Sequence, residues 1–125
     1  MAYKFNTLDQ LRKIAHDLNC DLYVAGEREL LVDLDTSESF GHFDKFLPLV
    51  AEKFGLSRQD SWVSRNSKLH RVVEIARDDV SRIEKIALQL ALGSDPKREI
   101  LALFEAHMQP DGPDTNSLFK PRSNA

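Results

Sequence analysis

Cysteine is nearly absent: Cys20 is the one cysteine in 125 residues. That excludes an intramolecular disulfide and a zinc site built on cysteines. It fits a reducing, cytoplasmic compartment. Long hydrophobic runs are missing too. No apolar stretch approaches the roughly 20 residues that span a bilayer, and the opening MAYKFNTLDQLRK has no apolar signal core. No membrane partner is expected. Nor is there an excess of positive charge. Seventeen Lys and Arg stand against twenty Asp and Glu, a net charge of -3. Nucleic-acid binding would therefore need a local patch.

What is present is 42% apolar and 30% charged residues, an ordinary balance for a soluble globular chain. The length fits one domain. Helical spacing runs through NTLDQLRKIAHDLNC, where Thr7 and Gln10 have capping-box spacing. CDLYVAGERELLVDLD reads as a β-hairpin turning around Ala25, Gly26 and Glu27. TSESFGHFDKFLPLVAEKFG is helical again, and Pro48 predicts a kink or a break into two short helices. SRQDSWVSRNSKLHRVVEIAR reads as a second strand pair with RNSK as its turn. DDVSRIEKIALQLALGSD is the clearest helix, with Val80, Ile83, Ile86, Ala87, Leu90 and Ala91 as its main stripe. Asp95 then caps a further helix with Pro96 at its first position, which would turn Ile100, Leu103 and Phe104 inward. Three prolines, a glycine and no periodicity follow.

This order predicts an α+β fold: a small, mainly antiparallel four-stranded sheet, RRM-like or palm-like, with helices packed on one face. Residues 1–108 form the domain, and residues 109–125 read as a flexible or loosely docked tail. The other sheet face would be left open for a site.

In LLVDLD, Leu30, Val32 and Leu34 take the core side and Asp33 and Asp35 the open side. In LHRVVEI, His70 and Glu74 share a face. Should that face be the one carrying Asp33 and Asp35, the sheet holds three carboxylates and an imidazole. Oxygen ligands of this kind suit Mg²⁺ or Mn²⁺ together with phosphate oxygens, and His70 would contact a phosphate. The plainer reading is a solvated strand end, with Asp35 capping the next helix and Glu38 at box spacing. Arg58, Arg65, Lys68, Arg71 and Arg77 make the one locally basic stretch, with Trp62 among them. It reads either as a phosphate-and-stacking surface for nucleotide or single-stranded nucleic acid, or as a solvated hairpin. LGSDPKRE reads either as an anion-binding helix start or as a capped turn whose anion position Asp95 already fills.

LLVDLD resembles the hydrophobic-Asp-hydrophobic-Asp strand of archaeo-eukaryotic-type primases, and SRNSKLHRVVEI their later Ser-x-His strand. From Asp9 to Leu103, and most specifically in LGSDPKRE, the chain also resembles a family of small uncharacterised phage and prophage proteins. The primase resemblance implies a palm in which Asp33 and Asp35 bind divalent metal and His70 contacts nucleotide phosphate. Glu74 substitutes for the third carboxylate, and Lys68 and Arg65 flank the phosphate. RNSKLH lacks the glycine that relatives carry before the histidine, and the chain is short. Both point to a reduced, non-polymerising palm. The expectation is a phage-encoded accessory protein of nucleic-acid metabolism in the cytoplasm of a bacterial host, with a degenerate metal and nucleotide site. The alternative is a non-enzymatic protein that binds a host or phage protein and modulates a nucleic-acid enzyme or defence system.

Overall fold

The computed structural model describes residues 5–64 and 66–122. Along the chain come α1 (Leu8–Asp17), β1 (Cys20–Val24), β2 (Glu29–Leu34), α2 (Ser37–Phe54), β3 (Arg58–Val63), β4 (Leu69–Glu74), α3 (Arg82–Ala91), α4 (Pro96–Met108) and β5 (Ser117–Pro121). Capping boxes start α1 at Thr7 and Gln10, and α3 at Ser81 and Glu84. The class is α+β, with the strands divided between two antiparallel sheets, β2-β4-β3 and β1-β5. The expected single four-stranded sheet is not formed.

The difference begins at residue 25. The expected hairpin would pair β1 with β2. Instead, the Glu29 carboxylate accepts from the Gly26 N–H at 2.7 Å and from the Tyr23 hydroxyl at 2.6 Å. The loop thus closes on a side chain, and the strands part. β1 pairs with β5, from Cys20 opposite Pro121 to Val24 opposite Ser117. The residues expected to be a loose tail therefore deliver a strand.

That strand also covers the sheet face expected to be open. Leu30, Val32, Leu34, Val73 and Ile75 pack on one side against Phe43 and Val50 of α2 and against Leu92. On the other side Leu31 and Val72 are fully buried with Leu118 of β5, and Tyr23, Ala25 and Trp62 pack around them. Two buried apolar side chains in the middle of a sheet face need a lid, and β1 and β5 supply it.

Pro48 does not break α2, which runs unbroken from Ser37 to Phe54. Pro48 is exposed. A helix-interior proline costs about 3 kcal/mol against alanine, and its stiffening of the unfolded chain returns up to about 1 kcal/mol. Pro48→Ala is therefore expected to stabilise the protein by about 2 kcal/mol, read as a higher urea midpoint at unchanged slope.

α3 and α4 also present faces other than those expected. Ile83 and Ile100 are 48% and 59% exposed, while Lys85, Gln89 and Glu99 are buried. These helices turn polar side chains inward because the edge of β2 faces them.

Candidate metal centre

Strand pairing places Asp33 of β2 opposite His70 of β4, and His70 opposite Trp62 of β3. Asp35 lies just beyond the end of β2. A third carboxylate arrives from far along the chain: Asp95, the N-cap of α4. Carboxylate oxygens of Asp33, Asp35 and Asp95 all lie within 4.8 Å of one another. His70 Nε2 is 3.3 Å from Asp33 Oδ1, and Lys68 Nζ is 3.4 Å from Asp35 Oδ1.

Local chemistry explains how Asp95 gets there. Gly93 follows α3 with φ +92°, a backbone setting that L side chains rarely adopt. A Cβ there would also stand 3.1 Å from the Ser39 carbonyl. The reversed chain then meets β2. The Asp95 N–H donates to the Asp33 carbonyl at 2.8 Å, and the Asp33 N–H donates to Ser94 Oγ at 3.0 Å.

The charges are unequal. Burial pushes the Asp33 carboxyl up, but His70, Asp35 and Arg98 together outweigh it and hold the group below the usual carboxylate range. Burial and the neighbouring Asp33 charge push Asp35 up, with Asp95 adding to the effect and Lys68 opposing it. Two adjacent carboxyls are thereby pulled apart in acidity, which is what close like charges do.

Two buried atoms of this cluster lack hydrogen-bond partners among the described residues: Asp33 Oδ1 and His70 Nδ1. The approach of His70 Nε2 to Asp33 is close, yet it leaves Oδ1 without a well-formed hydrogen bond. His70 itself is 7% exposed. Buried polar atoms are normally satisfied. A carboxylate cluster with an orphaned oxygen can hold a hard divalent cation, which takes oxygen ligands. A cleft of about 540 Å³ adjoins the cluster. Asp33, Lys68, His70 and Arg98 line it, together with Leu18, Leu22 and Phe119.

Of the residues expected to form the site, Asp33, Asp35, His70 and Lys68 are brought together. Glu74 is not. It shares the face, but stands four residues from His70 along β4, about 13 Å away. There it pairs opposite Glu29 and approaches Arg28 and Arg58 at 3.9 and 4.0 Å. The third carboxylate is Asp95, a residue that sequence reading placed only as a helix cap. LGSDPKRE carried the signal, but nothing local linked it to β2. Asp35 does not cap α2; Thr36 does, paired with Ser39.

The basic stretch does not assemble into one surface. Arg58 binds Glu29 at 2.5 Å. Trp62 is half-buried, donates from Nε1 to the Phe119 carbonyl at 3.0 Å, and packs against Tyr23 and His70. Arg71 lies over the Phe43 ring, 4.6 Å from its centre, on the opposite sheet face. Arg65 lies outside the described residues. No helix among the described residues is long and apolar enough to cross a membrane. Compared with family models, curated proteins and solved structures, the chain gives no match.

Proposed function

We propose that the protein binds Mg²⁺ or Mn²⁺ through Asp33, Asp35 and Asp95, and with it the phosphate of a nucleotide in the adjoining cleft. The observation that carries this reading is the gathering of three carboxylates within 4.8 Å of one another, beside an unsatisfied buried oxygen of Asp33 and an unsatisfied buried nitrogen of the adjoining His70. A bound cation would relieve their mutual repulsion. It would also supply electrostatic stabilisation to a phosphate, with Lys68, Arg98 and His70 at hand in the cleft. The cleft's volume, about 540 Å³, is in the range of small-molecule sites. The resemblance to phage proteins and to the primase palm supports a nucleotide as the phosphate carrier and an accessory role in phage nucleic-acid metabolism. The covered sheet face argues for binding rather than polymerisation.

The test is a calorimetric titration of Mn²⁺, with and without a nucleoside triphosphate, on the wild type and on Asp33→Ala/Asp35→Ala. Binding in the wild type that vanishes in the double variant is expected. A wild type that binds no Mn²⁺ overturns the reading.

A second reading, an interaction protein that modulates a host or phage protein, draws support from one feature. Ile100 and Met108 are 59% and 57% exposed. Eight residues apart, they share one face of α4. On that reading Ile100→Asp abolishes co-purification of the partner, and Asp33→Ala leaves it intact.

A further inference from the structure

β2 lies at the edge of its sheet. Buried backbone groups on such an edge need partners other than a strand. The LGSDPKRE segment and the end of α3 supply them. Leu31 N–H donates to Gln89 Oε1 at 2.9 Å, and the Leu31 carbonyl accepts from Arg98 Nη1 at 3.4 Å. Asp33 N–H donates to Ser94 Oγ, and the Asp33 carbonyl accepts from Asp95 N–H.

Behind these contacts sits one buried carboxylate. Glu99 Oε1 accepts from Gln89 Nε2 and Glu99 Oε2 from Ser94 Oγ, each at 2.7 Å, and the Arg98 guanidinium also reaches Oε2. Glu99 and Gln89 are 0% exposed and Ser94 is 1%. Burying a carboxylate is costly unless it is paired and hydrogen-bonded. Here its bonds have a directional consequence. Because the Ser94 hydroxyl donates to Glu99, its lone pairs are left for the Asp33 amide. Because Gln89 donates to the same carboxylate, its carbonyl oxygen is left for Leu31.

We infer that Ser94 and Glu99 are positioning residues of the metal centre. Resting on the cation reading above, they set Asp95 against Asp33 and so fix cation affinity without touching the cation. The segment resembling phage proteins most specifically then has one job in two parts: Asp95 supplies a ligand, and Ser94 and Glu99 hold it in register with β2.

The test measures Mn²⁺ affinity of the full chain by electron paramagnetic resonance, well below each variant's unfolding temperature. Removing an outer hydrogen-bond partner of a metal ligand typically weakens affinity about 10–100-fold. Ser94→Ala and Glu99→Gln are each expected to weaken Mn²⁺ binding by about 10-fold or more, and Ser94→Thr, which keeps the hydroxyl, to restore it to within a few-fold. Val50→Ala provides the contrast. It opens the core on the far side of the sheet, and should lower the Tm without moving the affinity. Should Ser94→Ala fail to fold, Glu99→Gln, which preserves volume, carries the test. Wild-type affinity in both Ser94→Ala and Glu99→Gln, beside loss in Asp95→Asn, overturns this inference alone. A wild type that binds no Mn²⁺ overturns the cation reading and this inference with it.

Discussion

Removal of every residue after Met108 is expected to unfold the protein. The deletion takes β5, the only strand partner of β1 among the described residues. It uncovers Leu31 and Val72, which Leu118 seals from water. It also takes two acceptors of Arg98, the Asn116 side chain at 2.8 Å and the Ser117 carbonyl at 3.0 Å. Trp62 loses its acceptor at Phe119. Exposing apolar side chains of this size costs about 1.5–3 kcal/mol each, and stripping partners from a largely buried charge costs about 3–5 kcal/mol. The sum matches the roughly 5–15 kcal/mol that holds a domain together. Circular dichroism and amide-proton dispersion of the truncated chain give the answer directly. A loosely docked tail would leave both unchanged, so a cooperative melt at the full-length midpoint would contradict the β1–β5 pairing.

What the sequence makes legible is local. Capping boxes at Thr7 and Ser81, the positive φ of Asn19 and Gly93, and the alternation of Leu30, Val32 and Leu34 against Asp33 all follow from side chains within a few residues of one another. The α+β class follows from the same signals. Pairing of β1 with β5 depends instead on residues far apart in the chain, Cys20 with Pro121 at one end and Val24 with Ser117 at the other. A proline-rich stretch gives no local sign that it will be recruited.

The helices α3 and α4 mislead for a different reason. Periodicity assumes that the apolar face is the buried one. Here the neighbour is a strand edge rich in amides and carbonyls, so Gln89 and Glu99 are worth more inside than Ile83 and Ile100. The candidate site inherits both strengths and weaknesses. Strand alternation puts Asp33 on one face of β2 and His70 on one face of β4, which is readable; that the two stand opposite each other comes from the register. Asp95 joins them through that inverted polar face, which is not readable. Glu74 has the right face and the wrong row, a distinction that needs the register.

Mn²⁺ at a hundred times its Kd is expected to raise the thermal midpoint by about 10 °C, since binding at that excess adds about 2.7 kcal/mol and a chain of this size gains roughly 3–4 °C per kcal/mol. Scanning calorimetry with Mn²⁺ and with chelator reads the increment. Asp33→Asn and Asp95→Asn should each erase it, while Glu74→Gln, remote from the cluster, should keep it; loss in Glu74→Gln would place the cation elsewhere. Acidity supplies a second handle. The Asp35 carboxyl is raised in the folded protein, so without cation its ionisation works against folding. Its stabilising contribution is complete below the unfolded pKa and is lost as pH rises through the higher folded value. Cation binding requires the ionised form, so the Mn²⁺ increment should be full above that raised value and shrink as pH falls through it. Asp35→Asn then separates a ligand from a structural charge. It should raise the midpoint in chelator, because it removes the cost of burying that charge and its repulsion from Asp33 and Asp95, which together outweigh the Lys68 contact. In the same protein it should abolish the response to Mn²⁺. A carboxylate kept for its ion pair would do the reverse: the midpoint in chelator would fall, and the cation would make no difference to either protein.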